Sequence, residues 1–211
     1  MSNVKNLILV GGGGHCKAVI DVAKDAQYRI QGILEHPSCD CESVLGFPVI
    51  GVDDDIPKYV NNSAFVITVG QIKNPTLRIK LDTLVKNVGG NLATIIATTA
   101  HVSDYALIGE GTVVLHYASI NADAHIGRNC IINTHSNIEH DVKIGDFCHI
   151  STGAMVNGNC QIGKRVFIGS GAIIANGVTI CDDCVIGAGA VVTKSITEKG
   201  IYVGNPAKIK V

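Results

Sequence analysis

The sequence predicts two structural units: a small Rossmann-like α/β domain over residues 1–96, and an all-β parallel β-helix over residues 97–211. A six-residue period that begins at Val102 predicts the β-helix. A small or short residue, which stands four positions after each of the first fifteen repeated aliphatic residues, supports this prediction. In the first hundred residues, segments typical of strands alternate with segments typical of helices, which predicts the α/β domain.

The period of six is unbroken over almost half of the chain. Every sixth residue from Val102 to Val192 is Val or Ile, sixteen matches in succession. Helices repeat near 3.6 residues and strands near 2, so a period of six indicates short strands joined by tight corners. Three such strands make one triangular coil, and coils stack about 4.8 Å apart. Four cysteines fall at the small inward position, where they act as compact apolar groups: Cys130, Cys148, Cys160 and Cys184.

The first hundred residues alternate between buried strands and amphipathic helices. Strands are predicted over 4–10, 28–35, 47–51, 64–70 and 91–96, and helices over 16–26, 54–60 and 74–90. This alternation is typical of a small parallel sheet flanked by helices. The charged segments around residues 40–46 and 53–59 are expected at the surface.

Composition excludes several classes of function. The formal net charge is −1, so no global field attracts nucleic acid. No apolar run approaches the roughly 18 residues that a membrane span needs, so membrane insertion is not expected. The N-terminal apolar run lacks the basic region and cleavage site of a signal peptide, which favours a cytoplasmic location. In that compartment the eight cysteines are expected to be reduced. The CDDC stretch at 181–184 has no second half of a zinc site, so no metal requirement is expected.

The glycine loop GGGGHC at 11–16 lies between a predicted strand and a predicted helix. Backbone N–H groups at such a junction can receive phosphate oxygens. Glu35 ends the next strand, where an acid can accept hydrogen bonds from a ribose. Cys16 stands where the dinucleotide fingerprint has its third glycine, and a tight turn needed only for packing is the alternative.

The hexapeptide pattern over residues 97–205 resembles the left-handed parallel β-helix acyltransferases. That resemblance implies the left hand of the coil, a homotrimer, acetyl-CoA or another acyl carrier, and active sites between neighbouring prisms. The order of the two domains resembles one subfamily, the sialic acid O-acetyltransferases and UDP-4-amino-sugar (bacillosamine-type) N-acetyltransferases. The stretches that carry this second resemblance are GGGGHCKAVIDVA, GILE, NTHSNIEHDVKIGDFCHIS and VGNPAKI. Two stretches depart from it: GQIKNPTLR is longer than the expected GNN-type loop, and GILEH has one acid where two would match better.

The stretch NTHSNIEHDVKIGDFCH at 133–149 contains the candidate catalytic residues. His140 lies two places after an inward Ile, near a corner, and Gly158 lies eighteen residues later at the same corner. A neutral imidazole, with an ordinary pKa of about 6.5, can accept the proton that an amine loses as it attacks a thioester. Asp141 could orient that imidazole.

The resemblance assigns roles to these and further residues. It implies that His140 is the general base and that Asp141 is its acidic partner. It places acetyl-CoA against Asn133, His149, Gly158, Gly187 and Ala188, with the adenine end near residues 186–206. It places the nucleotide sugar against Gly11, Gly13, Gly14, His15, Glu35, Gly70 and Gln71.

The sequence and the resemblance together predict an acetyl-CoA-dependent N-acetyltransferase acting on the 4-amino group of a nucleotide-linked amino sugar, with UDP as the expected nucleotide. Acetyl-CoA and the nucleotide sugar are the expected partners of a homotrimer. Three alternatives remain open at this point. They are a sialic acid O-acetyltransferase, a non-enzymatic trimeric nucleotide-binding scaffold, and a zinc hydratase built from the histidines of residues 116–149.

Overall fold

The computed structural model describes residues 6–210, which divide into two compact units. Residues 6–70 and 76–98 form the first unit, and residues 71–75 and 99–210 form the second. The predicted division after residue 96 had assigned residues 71–75 to the first unit. In the structure they belong to the second, because their contacts are made there.

The first unit is built around a five-stranded sheet of order β3-β4-β2-β1-β5. Its elements are β1 (Asn6–Val10), α1 (Gly14–Asp25), β2 (Arg29–Glu35), β3 (Ser43–Val44), β4 (Phe47–Val52), a 3-10 helix (Asp53–Lys58), β5 (Ala64–Ile67), α2 (Thr76–Asn87) and β6 (Ile95–Ile96). Apart from β3, which the sequence did not predict, these elements match the predicted ones within a few residues at each end. Residues 4 and 5 of the first predicted strand lie outside the described residues.

The sheet is mixed, whereas a purely parallel sheet was predicted. Strands β1, β2, β4 and β5 pair in parallel, but β3 pairs with β4 in an antiparallel hairpin. The hairpin has a two-residue loop, Leu45–Gly46, with φ of 50° and 82°. Both central residues therefore have the positive φ that tight hairpin turns require. Leucine is unusual at such a position, so the sequence carried only a weak turn signal.

Apolar side chains from one face of the sheet form a core cluster of the first unit. Ile8, Val10, Leu34, Phe65 and Ile67 of the sheet are fully buried. Leu81 and Val85 of α2 pack in the same cluster. The helix therefore covers the sheet along the apolar stripe that its sequence predicts.

The second unit is a parallel β-helix of two-residue strands, as the period of six predicts. Its faces are named here by their strands. Face 1 contains β9 (Val113–Val114), β12 (Ile131–Ile132), β15 (His149–Ile150), β18 (Phe167–Ile168) and β21 (Val185–Ile186). Face 2 contains β7 (His101–Val102), β10 (Ser119–Ile120), β13 (Asn137–Ile138), β16 (Met155–Val156), β19 (Ile173–Ile174) and β22 (Val191–Val192). Face 3 contains β8 (Leu107–Ile108), β11 (His125–Ile126), β14 (Lys143–Ile144), β17 (Gln161–Ile162) and β20 (Thr179–Ile180). The last coil ends in β23 (Ile201–Val203) and β24 (Lys208–Ile209).

The pairing register of the β-helix is a constant eighteen residues, so each side chain stacks on its equivalent in the next coil. Ile120 pairs with Ile138, and Ile138 with Val156. The inward cysteines are fully buried, and Cys148 Sγ lies 3.0 Å from the carbonyl oxygen of Gly163. Burial raises the pKa of the Cys148 thiol, so it stays protonated and acts as a packing group.

Two cysteines of the first unit contradict the expectation of reduced thiols. Cys39 and Cys41 form a disulfide in the loop between β2 and β3. Their Cα atoms are 5.4 Å apart, which lies in the range a disulfide can bridge. The other six cysteines are free.

Among the helices of residues 6–210, none combines the length and the apolar character that crossing a bilayer requires.

Candidate active site

His140 and Asp141 lie at the corner between face 2 and face 3, in the residues that join β13 to β14. His140 Nδ1 is 2.7 Å from Asp141 Oδ2. Asp141 has a φ of 61°, a left-handed conformation that Asp tolerates better than most residues. The hydrogen bond to Asp141 raises the pKa of the exposed His140 imidazole above its ordinary value. The Asp141 carboxylate can only accept a hydrogen bond, so Nδ1 of the neutral ring carries the proton and donates it. The lone pair of the ring is then on Nε2.

Gly158 lies one coil above His140 at the same corner, as the sequence predicts. The Asn159 N–H donates to the carbonyl oxygen of His140 over 3.0 Å, which joins the two coils here. A Cβ atom on residue 158 would lie 2.8 Å from both Cε1 and Nε2 of His140. Only glycine therefore leaves room for the imidazole in this position.

Polar residues surround His140 that the sequence analysis did not single out. Glu139 accepts hydrogen bonds from Asn121 Nδ2 at 3.2 Å and from Asn137 Nδ2 at 2.8 Å. Asn176 lies one further coil above Gly158, with an exposed side chain. A step of eighteen residues from His140 and Gly158 leads to Asn176, so the repeat itself held this signal.

A second polar cluster lies at the start of face 1 and the corner between face 1 and face 2. His149 Nε2 is 3.1 Å from Asn133 Nδ2, and His149 Nδ1 is 2.5 Å from the main-chain oxygen of Gln71. The His149 ring is 8% exposed and packs edge-on against Phe167, with ring centroids 5.2 Å apart. Gln71 Nε2 donates to the carbonyl oxygen of Phe147 over 2.8 Å.

Gly187 and Ala188 follow β21 at the same corner as Asn133, three coils further along. The Gly187 N–H donates to the Tyr202 carbonyl over 2.8 Å, and Ala188 is exposed. Beyond them, a cavity of about 270 Å³ in the last coils is lined by Lys194, Tyr202 and Lys208 among others.

The predicted acetyl-CoA residues therefore form two groups. The predicted catalytic residues His140 and Asp141 share one corner of the β-helix with Gly158. Asn133, Gly187 and Ala188 share the next corner, and His149 contacts Asn133 from the start of face 1. A whole face of the prism separates the two groups within one chain.

Most predicted nucleotide-sugar residues meet at the carboxyl edge of the first unit's sheet. Glu35 accepts hydrogen bonds from the N–H groups of Gly12 and His36. Gly11 donates to the Leu34 carbonyl over 2.8 Å and accepts from Thr68 Oγ1. These bonds hold the loop against the ends of β2 and β5.

The outer part of this loop is open. A Cβ atom on Gly13 or Gly14 would meet no atom within 4 Å, and a Cβ on Gly70 would lie 3.6 Å from His15 Cβ. Gly13 also precedes α1 in an extended conformation, so the loop leads into a helix N-terminus, which favours anionic groups. Gln71 differs from this group because its polar contacts are with Phe147 and His149 in the second unit.

The remaining histidines of residues 116–149 have contacts of their own. His116 Nδ1 contacts Thr99 Oγ1 at 2.8 Å, His135 stacks on Tyr117 with centroids 5.0 Å apart, and His125 lies 3.8 Å from Asp123. Within residues 6–210 the one group with metal-binding geometry is Glu35, Cys39 and Cys41, and both of its sulfurs are in the disulfide.

Comparisons with known proteins match both units. The model of the PglD N-terminal domain matches residues 6–81, and the bacterial transferase hexapeptide model matches residues 105–140 and 159–194. Perosamine N-acetyltransferase (PerB) from Caulobacter crescentus, solved with CoA and GDP-perosamine, is 33% identical with a TM-score of 0.91. The match covers 99% of this chain and 98% of that one.

The chain belongs to the PglD-type family of hexapeptide-repeat sugar N-acetyltransferases. It is an acetyl-CoA-dependent N-acetyltransferase of nucleotide-linked amino sugars. A further PglD-type relative, the acetyltransferase domain of PglB from Neisseria gonorrhoeae in complex with acetyl coenzyme A, is 32% identical with a TM-score of 0.90. That match covers 98% of this chain and 99% of the relative.

One curated relative matches only part of the PglD-type chain. An uncharacterised protein of Acanthamoeba polyphaga mimivirus is 35% identical over 114 residues, which is 54% of this chain. The chain spans only 22% of that protein's length.

Proposed function

We propose that the protein acetylates the 4-amino group of a nucleotide-linked amino-deoxy sugar, with His140 as the general base and Asp141 as its partner. The observation that carries this proposal is the bond from His140 Nδ1 to Asp141, which directs the basic Nε2 toward the space left by Gly158. An imidazole held in one tautomer at an exposed corner is suited to accept a proton from a bound amine.

The proposed reaction is a direct transfer. The sugar amine attacks the thioester carbonyl of acetyl-CoA, and His140 Nε2 takes the proton that the amine loses. The tetrahedral intermediate then collapses, the C–S bond breaks, and CoA leaves as a thiolate that acquires a proton. We further propose that the Gly158 N–H stabilises the oxyanion, which is the usual role of a preorganised backbone donor.

The proposed binding sites are assigned to the groups of residues described above, one unit at a time. The nucleotide sugar is placed on the open loop of Gly13 and Gly14, with Glu35 toward the ribose. The adenine end of CoA is placed in the cavity near Lys194 and Lys208, where two ammonium groups suit its phosphates. The acetyl group is placed at Asn133 and His149. Neither acetyl-CoA nor the sugar needs a metal in this scheme.

A homotrimer is proposed because the two polar corner groups of one chain are a face apart. A neighbouring copy would bring its Asn133 corner to the His140 corner of the first. The outward side chains of face 2 at Met155, Ile173 and Val191 are apolar and only half-buried, which suits a face that contacts another copy.

A substrate panel tests the proposed function. Release of free CoA is measured with acetyl-CoA and each of a UDP-, a GDP- and a dTDP-linked 4-amino sugar, and with free and CMP-linked sialic acid. UDP is the nucleotide expected from the sequence, and the relative solved with GDP-perosamine supports including GDP. If CoA is released only with the two forms of sialic acid, the result would favour an O-acetyltransferase. If CoA is released with no member of the panel, the result would favour a binding scaffold.

Replacing Asp141 with Asn is expected to shift the acidic limb of the pH profile of kcat/KM to lower pH. Asp141 raises the pKa of His140, so in the natural protein the base becomes protonated, and inactive, at a higher pH than an isolated histidine would. The amide lacks the charge that causes this rise. The maximal rate should also fall, because the Nδ1 tautomer is less well held. An unchanged acidic limb would contradict the assignment of His140 as the titrating base.

A further inference from the structure

Two hydrogen-bonding contacts of the His149 ring indicate which of its nitrogens carries the proton. Its Nδ1 lies 2.5 Å from the main-chain oxygen of Gln71. A carbonyl oxygen can only accept a hydrogen bond, so Nδ1 carries a proton. Gln71 is itself fixed, because it is 3% exposed and its Nε2 donates to the Phe147 carbonyl.

The second nitrogen of His149 faces a donor. Asn133 Oδ1 accepts the N–H of Thr134 over 2.8 Å, which directs Asn133 Nδ2 toward His149 Nε2 at 3.1 Å. An amide nitrogen donates and does not accept, so Nε2 bears the lone pair. If Nε2 were protonated, its N–H would point at the N–H of the Asn133 amide. Two donors would then face each other at a residue that is only 8% exposed. The two contacts together fit a neutral imidazole with its proton on Nδ1.

We infer that Gln71 is a positioning residue for acetyl transfer: it holds His149 in this tautomer, and His149 in turn holds the Asn133 amide. One hydrogen of Asn133 Nδ2 is used by His149, and the other has no acceptor within residues 6–210. Asn133 is only half-buried, so that hydrogen can donate to a carbonyl oxygen of acetyl-CoA, either of the thioester or of the pantetheine amides.

This inference rests on the proposed function and divides the work between two histidines. His140 titrates and moves the proton, whereas His149 stays neutral and orients a donor. It also gives a role to the segment 71–75, where the sequence departs from the short loop expected of the family. The main-chain oxygen of Gln71 lies at His149 because its side chain anchors the segment at Phe147.

Long-range proton–nitrogen NMR of protein labelled with ¹⁵N-histidine tests the tautomer without any assay of activity. The His149 signals are assigned by their loss in His149→Asn. We expect a neutral ring protonated on Nδ1 from about pH 5.5 to pH 8, across the ordinary histidine range. Asn133→Asp places a carboxylate at Nε2 and should convert the ring to an imidazolium. A natural His149 that titrates near pH 6.5, or that carries its neutral proton on Nε2, would overturn the inference.

The anchor is tested by Gln71→Leu, which fills the same space without a donor for Phe147. We expect its His149 spectrum to contain a second tautomer. Ile72→Ala, an exposed neighbour in the same segment, should leave the spectrum as in the natural protein. A single Nδ1-protonated tautomer in Gln71→Leu would show that the side chain has no positioning role.

Steady-state kinetics of Asn133→Ala identify the oxygen that is bound. A fall in kcat of roughly tenfold or more, with KM for acetyl-CoA unchanged, assigns the donor to the thioester oxygen. A rise in KM alone assigns it to a pantetheine amide. Natural values of both constants would overturn the donor role. His140→Ala is measured in parallel, so that failure of the proposed general base is recognised separately.

Discussion

Alanine in place of His140 is expected to lower kcat by roughly a hundredfold or more, because the amine then attacks without a positioned proton acceptor. The side chain is exposed and its ring contributes little to the core, so the fold and the binding of CoA should persist. The measurement is CoA release at saturating acetyl-CoA and nucleotide sugar. Calorimetric titration with CoA checks that the binding site remains intact.

His125→Ala is the matched control for that variant. His125 also projects outward from the β-helix and also lies beside an acid, Asp123, but its contact is 3.8 Å rather than 2.7 Å. It is the first residue of β11 on face 3, where it pairs with Lys143, so it lies beside the corner residues that stack under Gly158 and is not one of them. We expect natural turnover for this variant. A His140→Ala protein with near-natural kcat would reject His140 as the base.

Mixing two inactive variants is expected to restore activity, since the proposed homotrimer builds each complete site from one corner of each of two copies. His140→Ala disables one corner, and Ala188→Trp fills the other corner with a bulky ring. Subunits are unfolded together in equal amounts, refolded and assayed. If each site joins one corner of a chain to the other corner of its neighbour, roughly a quarter of the sites in random mixed trimers contain two natural corners.

The double variant that carries both changes in one chain is the control for this complementation. Mixed with natural subunits, it contributes no useful corner, so activity falls below that expected from the natural fraction alone. Mixed with either single variant, it should give no recovery. Activity that stays at the level of the separate variants would show that both corners act within a single chain, which would exclude the proposed shared site.

The period of six in the sequence was enough to predict the β-helix and the stacking within it. A β-branched residue at every sixth place over ninety residues is buried regularly when three short strands form each coil. Each coil then has eighteen residues, and the strands of the structure pair with this register. The same register places Gly158 above His140 from the sequence alone. The loop of Gly11–Gly14 could likewise be placed at the end of a strand.

The hairpin of β3 and β4 and the contacts of Gln71 could not be predicted in this way. Both depend on contacts that form only in the folded chain. Leu45 adopts a positive φ because the strands on each side of it pair. The Gln71 side chain donates to a carbonyl oxygen 76 residues away in the chain. The Cys39–Cys41 disulfide depends on the path of one loop, which composition does not specify.

By itself, the sequence determined the repeating architecture and the chemistry available at its corners, because a strict period converts position in the chain directly into position in space. Only the tertiary structure placed the main-chain oxygen of Gln71 against the His149 ring, and with it the position inferred for the proton of that ring. Those properties depend on hydrogen bonds between residues far apart in the chain, and no periodic rule relates Gln71 to His149.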